Sequence, residues 1–283
     1  MLTGAYTALV TPFDSNGEID FPAVARLLAW HEHSGMDGVL IAGTNGEGPS
    51  LSAVEKRDLV RAAVEHAGNL KVIAGLGTPS LTEAIWLSDQ AQKAGAAASL
   101  VLPPYYFPAT ESGIEQWFRA LLESSDLPCI LYNFPKTTGV TLSPALLRNV
   151  FTYPHAVGVK DSSGDPDLLT AYLEVAKEKQ RIILVGDERL LLRALRNGGA
   201  GTISGLANSL PVLVSRQVRE RSDTFQQLID EAVAALKKHP QPAVHKCVLD
   251  HRGLPGGPMR PPLEPLSHDA AEEVCRFIDR FGF

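Results

Sequence analysis

The stretch AVGVKDSS, residues 156–163, combines a continuous apolar run with an abrupt polar end. A continuous apolar run, unlike an alternating one, is typical of a parallel strand that is covered on both faces. Lysine is among the side chains that are least often buried. Lys160, directly after this run, is therefore either a solvated charge at a strand end or an amine held in a pocket to do chemistry. The stretch by itself leaves both interpretations open.

The same kind of apolar run recurs along the chain. Its seven other occurrences are AYTALVTPF, GVLIAGTNG, KVIAGLG, ASLVLPP, CILYNF, IILVGDE and AGTISGLA. Segments between them, such as LSAVEKRDLVRAAVEHAG and LTEAIWLSDQAQKAG, have apolar residues at helical spacing and end on a glycine. Eight strands that each lead into a helix predict a (β/α)8 TIM barrel. An open, doubly wound sheet is the alternative.

The sequence after residue 222 has no further strand pattern. Three segments have apolar residues at helical spacing: TFQQLIDEAVAALKKH, PAVHKCVLDHRG and SHDAAEEVCRFIDRF. The Pro- and Gly-rich stretch LPGGPMRPPLEPL separates the last two. We therefore predict a barrel over residues 1–222 and a C-terminal helical extension, residues 223–283, packed on it. A separate small domain is the alternative.

Composition excludes several classes of function. The 283 residues are 45% hydrophobic and 20% charged, which is ordinary for a globular protein. A net charge of −6 without a long basic run argues against nucleic acid as a partner, and no apolar run reaches the roughly 20 residues that span a bilayer. The start lacks the features of a secretory signal, and three widely spaced cysteines do not suggest a disulfide framework. We expect a cytoplasmic protein that acts on a small molecule.

Three side chains at predicted strand ends suggest a reaction, because a barrel builds its active site at the carboxyl ends of its strands. If alternation holds, Lys160 points into the barrel mouth, where partial desolvation favours a neutral amine that can form a Schiff base with a carbonyl. Tyr132, near the end of the fifth strand, is either a core tyrosine or a phenol that shuttles protons beside the imine. Thr44 can pass such a proton onward through its hydroxyl.

The loop GTNGEG, residues 43–48, resembles a glycine-rich anion cradle. It is not a phosphate loop of the Walker type, because no lysine follows Gly48, and Glu47 is expected to repel a phosphate. A carboxylate held by Gly43, Thr44 and Asn45 fits better.

A metal site is not expected. His31 and His33 lie two positions apart in a predicted helix and do not share a face. His245, Cys247 and His251 lack a carboxylate at a supporting spacing.

Five motifs follow one another along the chain in this order: GTNGEGPSLS, PPYYFP, YNFPKTTG, GVKDSSGD and RPPLEPL. Through them the chain resembles the dihydrodipicolinate synthase / N-acetylneuraminate lyase family over essentially its whole length. The resemblance implies a class I aldolase that uses no cofactor and forms a Schiff base with pyruvate or another 2-oxo acid. It also implies a homotetramer, a dimer of dimers, of (β/α)8 barrels with helical extensions.

The resemblance also implies roles for single residues. Lys160 matches the lysine that forms the imine, and Tyr132 matches the tyrosine that acts on it as general acid and base. Thr44 and Tyr106 match the partners of that tyrosine in a proton relay, with Tyr106 reaching across a subunit interface in relatives. Ile203 matches a position beside the bound pyruvyl group. Asn45 replaces the second hydroxyl of the family's loop, and an amide can still hydrogen-bond a carboxylate.

The main departure from the family follows YNFP. Dihydrodipicolinate synthases carry an arginine two residues past that proline, where it binds the carboxylate of aspartate semialdehyde. Here Lys136 precedes Thr137 at that position, and a threonine cannot supply a bidentate charged clamp.

The motifs instead look closest to those of 2-keto-3-deoxygluconate aldolases, which favours an enzyme that cleaves or forms a 2-oxo-3-deoxy acid. Asp187 and Glu188 are then expected to bind sugar hydroxyls; the alternative is that they cap the following helix. Dihydrodipicolinate synthase is the alternative activity, and a barrel that binds a 2-oxo acid without turning it over is the alternative class.

Overall fold

The computed structural model describes residues 2–282, in which eight parallel strands close a barrel. Every strand coincides with one of the apolar runs, so the prediction of a (β/α)8 barrel is confirmed. The strands are β1 (Gly4–Ala8), β2 (Gly38–Ile41), β3 (Lys71–Gly75), β4 (Ala98–Val101), β5 (Cys129–Asn133), β6 (Ala156–Asp161), β7 (Ile182–Val185) and β8 (Gly201–Ser204).

Each strand pairs with its neighbours in sequence, and β8 pairs with β1 to close the sheet. Two pairings set the position of the lysine at the end of β6. Lys160 is in register with Tyr132 on β5 and with Leu184 on β7. In-register residues on adjacent strands point to the same face of the sheet about 4.8 Å apart. The register therefore brings the Lys160 and Tyr132 side chains together at one end of the barrel.

The helices alternate with the strands and then continue beyond them. Their bounds are α1 (Phe21–His33), α2 (Ala53–His66), α3 (Leu81–Ala94), α4 (Glu111–Glu123), α5 (Pro135–Thr138), α6 (Pro144–Val150), α7 (Pro166–Lys179), α8 (Leu191–Arg196), α9 (Pro211–Glu220), α10 (Asp223–Leu236), α11 (Gln241–His251) and α12 (His268–Ile278). Short 3-10 turns lie at Gly48–Ser50, Glu188–Leu190, Leu206–Asn208 and Asp279–Phe281.

Local sequence accounts for the helix ends. Ser52 caps α2 in a capping box with Glu55. Gly95 ends α3 with a φ of 91°, a left-handed conformation that suits glycine. The helix α2 ends at His66, slightly before the glycine that the sequence indicated as its end.

The buried side chains form two layers. The inner layer fills the barrel and contains Tyr6, Leu40, Ile73, Leu184 and Ile203. The outer layer lies between the strands and the surrounding helices, and side chains of α10, α11 and α12 belong to the same apolar cluster as those of the barrel helices. The extension that begins at Asp223 therefore packs on the barrel's own core.

A buried ion pair attaches the extension to the loop after β2. Lys246 on α11 places its Nζ 2.6 Å from Glu47 Oε1, and both side chains are at most 3% exposed. The other carboxylate oxygen of Glu47 accepts a hydrogen bond from the backbone N–H of Arg260 at 3.0 Å. Breaking such a pair from one side leaves a buried charge and costs about 3–5 kcal/mol, so this contact fixes the extension to the barrel mouth.

No helix within residues 2–282 has both the length and the apolar character that crossing a membrane requires.

Candidate active site

The main cavity at the carboxyl end of the barrel has a volume of about 480 Å³. Its walls come from the barrel loops and from the turn between α10 and α11. The barrel residues that line it include Ala8, Thr44, Asn45, Tyr132, Phe134, Lys136, Lys160, Ser162, Gly186, Asp187, Glu188, Ile203 and Gly205. The extension contributes Lys237, His239, Pro240, Gln241 and Pro242. A single chamber is thus lined by seven residues that the sequence analysis singled out: Lys160, Tyr132, Thr44, Asn45, Asp187, Glu188 and Ile203.

Lys160 lies at the base of this chamber, near the end of β6. Its side chain is 4% exposed, and its Nζ lies 4.3 Å from the centroid of the Tyr132 ring. Within residues 2–282 it forms no ion pair. The lysine is therefore not the solvated charge that its sequence position also allowed, and its amine faces an aromatic ring and an open cavity. Ile203, fully buried on β8, lines the same chamber.

Tyr132 lies on the wall between the main cavity and a smaller one. The smaller cavity, of about 130 Å³, is lined by residues that include Gly43, Thr44, Tyr105, Tyr132 and Thr137. The Tyr132 ring stacks on Phe134 with centroids 5.6 Å apart, and its hydroxyl accepts a hydrogen bond of 3.4 Å from Ser162 Oγ. A phenol held in this way above an amine can donate a proton to one group and accept a proton from another.

Ser162 and Gly186 are site residues that the sequence analysis missed. A Cβ built on Gly186 would overlap Ser162 Oγ and lie 2.9 Å from Lys160 Cε. Only a glycine leaves this space to the lysine chain and to the serine that contacts Tyr132. Ser162 follows a strand end, where serine is common in turns, and Gly186 is one of 24 glycines. The residue types alone therefore did not indicate that Ser162 and Gly186 belong to the site.

Asp161 and Asn133 hold the backbone behind the two reactive side chains. Asp161 accepts hydrogen bonds from Asn133 Nδ2 at 2.8 Å and from Ser163 Oγ at 2.9 Å. Burial raises the pKa of Asp161, although these hydrogen bonds act in the opposite direction. The contact ties the ends of β5 and β6 together, and it fixes the separation of Tyr132 and Lys160.

The glycine-rich loop after β2 contributes Thr44 and Asn45. Thr44 is exposed and, like Tyr132, lines both cavities. Asn45 is packed against Gly205, where an added Cβ would overlap the amide nitrogen. Gly43 lines the smaller cavity. The structure therefore presents the loop's polar groups next to the amine of Lys160.

Glu47 does not face the cavities, contrary to the expectation that it repels an anion there. It is 1% exposed, adopts a left-handed φ of 54°, and is neutralised by Lys246. Arg260 donates further hydrogen bonds to the carbonyls of Gly17 and Ser50 around it. The sequence could not reveal this role, because the partners of Glu47 lie about two hundred residues away along the chain.

Tyr106 lies outside both cavities. It is 87% exposed, has a φ of 88°, and contacts Phe107, which is 77% exposed. The neighbouring Tyr105 lines the smaller cavity instead and donates a hydrogen bond of 3.4 Å to the carbonyl of Gly77. A single chain thus does not bring Tyr106 to Lys160.

The two residues after Pro135 face different cavities. Thr137 lines the smaller cavity, whereas Lys136 lines the main cavity with Lys160. Lys136 is exposed and forms no ion pair within residues 2–282. Lys136 is therefore a cation of the main chamber that has no acidic partner among the described residues.

Asp187 and Glu188 are engaged by protein groups. Asp187 accepts a hydrogen bond from the backbone N–H of Arg189, as an N-cap does, and forms ion pairs with Arg189 at 2.6 Å and Lys237 at 3.4 Å. Burial raises the pKa of Asp187, but Arg189 and Lys237 outweigh this effect and lower it to about 2. Glu188 accepts hydrogen bonds from Ser204 Oγ and the Leu206 N–H. Asp187 thus has the capping role that the sequence allowed, while both residues also line the chamber.

No group of three or more histidine, cysteine, aspartate or glutamate side chains within residues 2–282 is arranged to hold a metal ion.

Comparison with known proteins assigns this barrel to a family. Residues 1–280 match the Dihydrodipicolinate synthetase family. The chain belongs to this family. It is 36% identical to the 4-hydroxy-tetrahydrodipicolinate synthase of Azoarcus sp. (strain BH72) over 290 residues, which cover 100% of this chain and 99% of that protein. The chain is therefore a pyruvate-dependent lyase or synthase, as the family resemblance implied.

Solved structures of the Dihydrodipicolinate synthetase family share the fold closely. Dihydrodipicolinate synthase from Thermotoga maritima superposes with a TM-score of 0.95 at 29% identity and covers 100% of this chain and 99% of its own. YagE, a prophage protein of the dihydrodipicolinic acid synthase family from E. coli K12 solved in complex with pyruvate, superposes with a TM-score of 0.95 at 27% identity and the same coverage.

We predict that Gly186→Ala lowers kcat/KM by about 100-fold, because a displacement of a reacting group by about 1 Å costs that much. The substitution would push aside Lys160 Cε and Ser162 Oγ. Steady-state pyruvate release would measure the effect. Gly113→Ala in α4, where an added Cβ meets nothing nearer than 3.4 Å, is the matched control and is expected to keep wild-type activity. Equal activity of the two variants would show that the space beside Lys160 is not needed.

Proposed function

We propose that this protein is a class I aldolase that cleaves or forms a 2-oxo-3-deoxy acid, with pyruvate bound as an imine on Lys160. The observation that carries the proposal is the buried Lys160 amine, 4.3 Å from the Tyr132 ring and open to a cavity of about 480 Å³. Family membership supports the use of pyruvate. The aldehyde half of the substrate is the part that the proposal adds.

The first half-reaction forms the imine. The carboxylate of pyruvate binds at the loop Gly43–Asn45, and the Lys160 amine attacks the ketone carbon. Tyr132 donates its proton to the developing alkoxide of the carbinolamine and later helps to expel that oxygen as water. Thr44, which lines both cavities, passes the proton to or from Tyr132.

The second half-reaction makes or breaks the carbon–carbon bond. In the cleavage direction, the iminium accepts the electron pair of the breaking carbon–carbon bond and becomes an enamine. The hydroxyl of the departing fragment gives its proton to Tyr132, and the fragment leaves as an aldehyde. Protonation of the enamine carbon and hydrolysis of the imine then release pyruvate and restore the Lys160 amine. The protonated imine is itself the electron sink, so the proposal needs no metal and no organic cofactor.

The aldehyde half would lie between the barrel and the extension. Asp187 and Glu188 line this part of the chamber beside Gln241 and Lys237. A chain of hydroxyl groups can share the carboxylate oxygens with the existing donors, since a carboxylate accepts several hydrogen bonds. This fits a polyhydroxy tail, and the fit supports a sugar-derived acid as substrate.

The relay would be completed by a second copy of the chain. Tyr106 and Phe107 form an exposed aromatic pair next to the small cavity's Tyr105. Two aromatic side chains with that exposure are typical of a contact surface. We propose a homotetramer in which Tyr106 enters the relay of a neighbouring subunit.

A second candidate is 4-hydroxy-tetrahydrodipicolinate synthase, which condenses pyruvate with aspartate semialdehyde. The curated relatives that bear this name are 32–36% identical to the chain, and one local observation favours it. Lys136, which has no acidic partner within residues 2–282, lines the chamber of Lys160 and would supply a cation for a second carboxylate. Thr137, in contrast, faces the other cavity.

We predict that borohydride traps pyruvate on Lys160. Reduction of the imine in the presence of pyruvate would leave one stable adduct per chain, and peptide mapping by mass spectrometry would place it at residue 160. Lys160→Met should abolish the adduct, while Lys136→Met, which removes another lysine that lines the chamber, should retain it. An adduct at Lys136, or none, would contradict the mechanism. Trapping without turnover of any 2-oxo acid would indicate a binding protein.

We predict that the enzyme releases pyruvate from 2-oxo-3-deoxy sugar acids at least tenfold faster, by kcat/KM, than it condenses pyruvate with aspartate semialdehyde. The panel would include 4-hydroxy-2-oxoglutarate and sialic acid. Lys136→Met should change cleavage of neutral-tailed substrates by less than about threefold, because they carry no second charge for it to bind. Efficient use of aspartate semialdehyde that is lost in Lys136→Met would establish the synthase instead.

A further inference from the structure

Two of the three cysteines lie face to face in the extension. Cys247 on α11 and Cys275 on α12 have their sulfur atoms 4.0 Å apart, and both residues are partly exposed. The third, Cys129, is buried in β5, far along the chain from both. The pair takes no part in the chemistry at Lys160, so its proximity has no role in the proposed aldolase.

Packing of the two helices, and not one side-chain rotamer, sets this proximity. One turn further along, His251 on α11 and Asp279 just after α12 form a hydrogen bond of 2.8 Å. Both contacts join residues that are 28 positions apart, so α11 and α12 present matching faces over successive turns. A disulfide needs its sulfur atoms at about 2.05 Å, so the two sulfur atoms, now 4.0 Å apart, must approach each other for the bond to form.

We propose that Cys247 and Cys275 are a modification site: they form an intramolecular disulfide that staples α12 to α11. The oxidant is a hydroperoxide or a low-molecular-weight disulfide. With a hydroperoxide, one thiolate becomes a sulfenic acid as the peroxide leaves as an alcohol, and the second thiolate displaces water from that sulfur. Two thiols lose two electrons and two protons, and the peroxide is reduced by two electrons. With a disulfide oxidant, two successive exchanges give the same product.

Burial and the neighbouring Cys275 raise the pKa of the Cys247 thiol. A raised pKa lowers the thiolate fraction of Cys247 and slows its reaction with an oxidant. The sulfur that reacts second acts as the resolving thiol, which requires only that it lie within reach of the first.

The consequence concerns the segment that the disulfide would enclose. Residues 248–274 include Arg260, whose backbone N–H and guanidinium hold Glu47 and the loop around it. Lys246, adjacent to Cys247, forms the buried pair with Glu47. A closed ring restricts the unfolded chain over this segment. Oxidation should therefore stabilise the contact between the extension and the carboxylate-binding loop.

Thiol counting on the full-length protein tests the proposal. After oxidation with excess glutathione disulfide or hydrogen peroxide, removal of the oxidant and denaturation, the three thiols of the wild type should fall to one. Non-reducing peptide mapping should show a single link between the peptides of Cys247 and Cys275. The melting temperature should rise by roughly 5 °C and return on reduction with dithiothreitol.

Matched serine variants provide the controls. Cys275→Ser and Cys247→Ser should form no intramolecular link, and their melting temperatures should not rise on oxidation. Cys129→Ser should lose both remaining thiols and show the wild-type shift. Three thiols after oxidation, a glutathione adduct without a link, or a disulfide between two chains would overturn the proposal. The readouts are covalent structure and stability, so they are independent of whether the enzyme is an aldolase or a synthase.

Discussion

The in-register pairing of Tyr132 on β5 with Lys160 on β6 is the constraint on which the site depends. Because the two strands are parallel neighbours in a closed barrel, their side chains emerge on the same face, and the phenol ring lies 4.3 Å from the amine. A slip of one residue would turn one of them outward. The contact of Asp161 with Asn133 secures the next pair in the same register. The barrel thus fixes the Lys160 amine and the Tyr132 phenol relative to each other.

The C-terminal extension completes the site from the other side. It supplies one wall of the chamber through the turn between α10 and α11, and it holds the glycine-rich loop through the pair of Lys246 with Glu47. That loop is the part of the barrel mouth with the least regular backbone, as the left-handed φ of Glu47 shows. A charge pair buried on both sides gives the loop a single position. The loop can therefore present Thr44 and Asn45 to a carboxylate without first ordering itself.

Sequence reasoning found the fold and the residues whose type is itself informative. The apolar runs predicted all eight strands, since a strand buried on both faces has few polar residues. A lysine that ends such a run is rare enough to be noticed, so Lys160 was identified. Gly186 and Ser162 were missed, and the buried pairing of Glu47 with Lys246 was not predicted, because these roles come from neighbours that are distant along the chain. The exposure of Tyr106 likewise depends on tertiary packing, so the local sequence PPYYFP did not predict it.

We propose that the Tyr132 hydroxyl transfers protons during imine formation on Lys160. The rate of imine formation with pyruvate, followed by rapid mixing and borohydride quenching, would be compared between wild type and Tyr132→Phe. We expect a rate about 10²–10⁴-fold lower in the variant, the usual contribution of a general acid and base. Tyr105→Phe, which removes a hydroxyl from the smaller cavity only, should leave the rate close to that of wild type. An unchanged rate in Tyr132→Phe would contradict the claim.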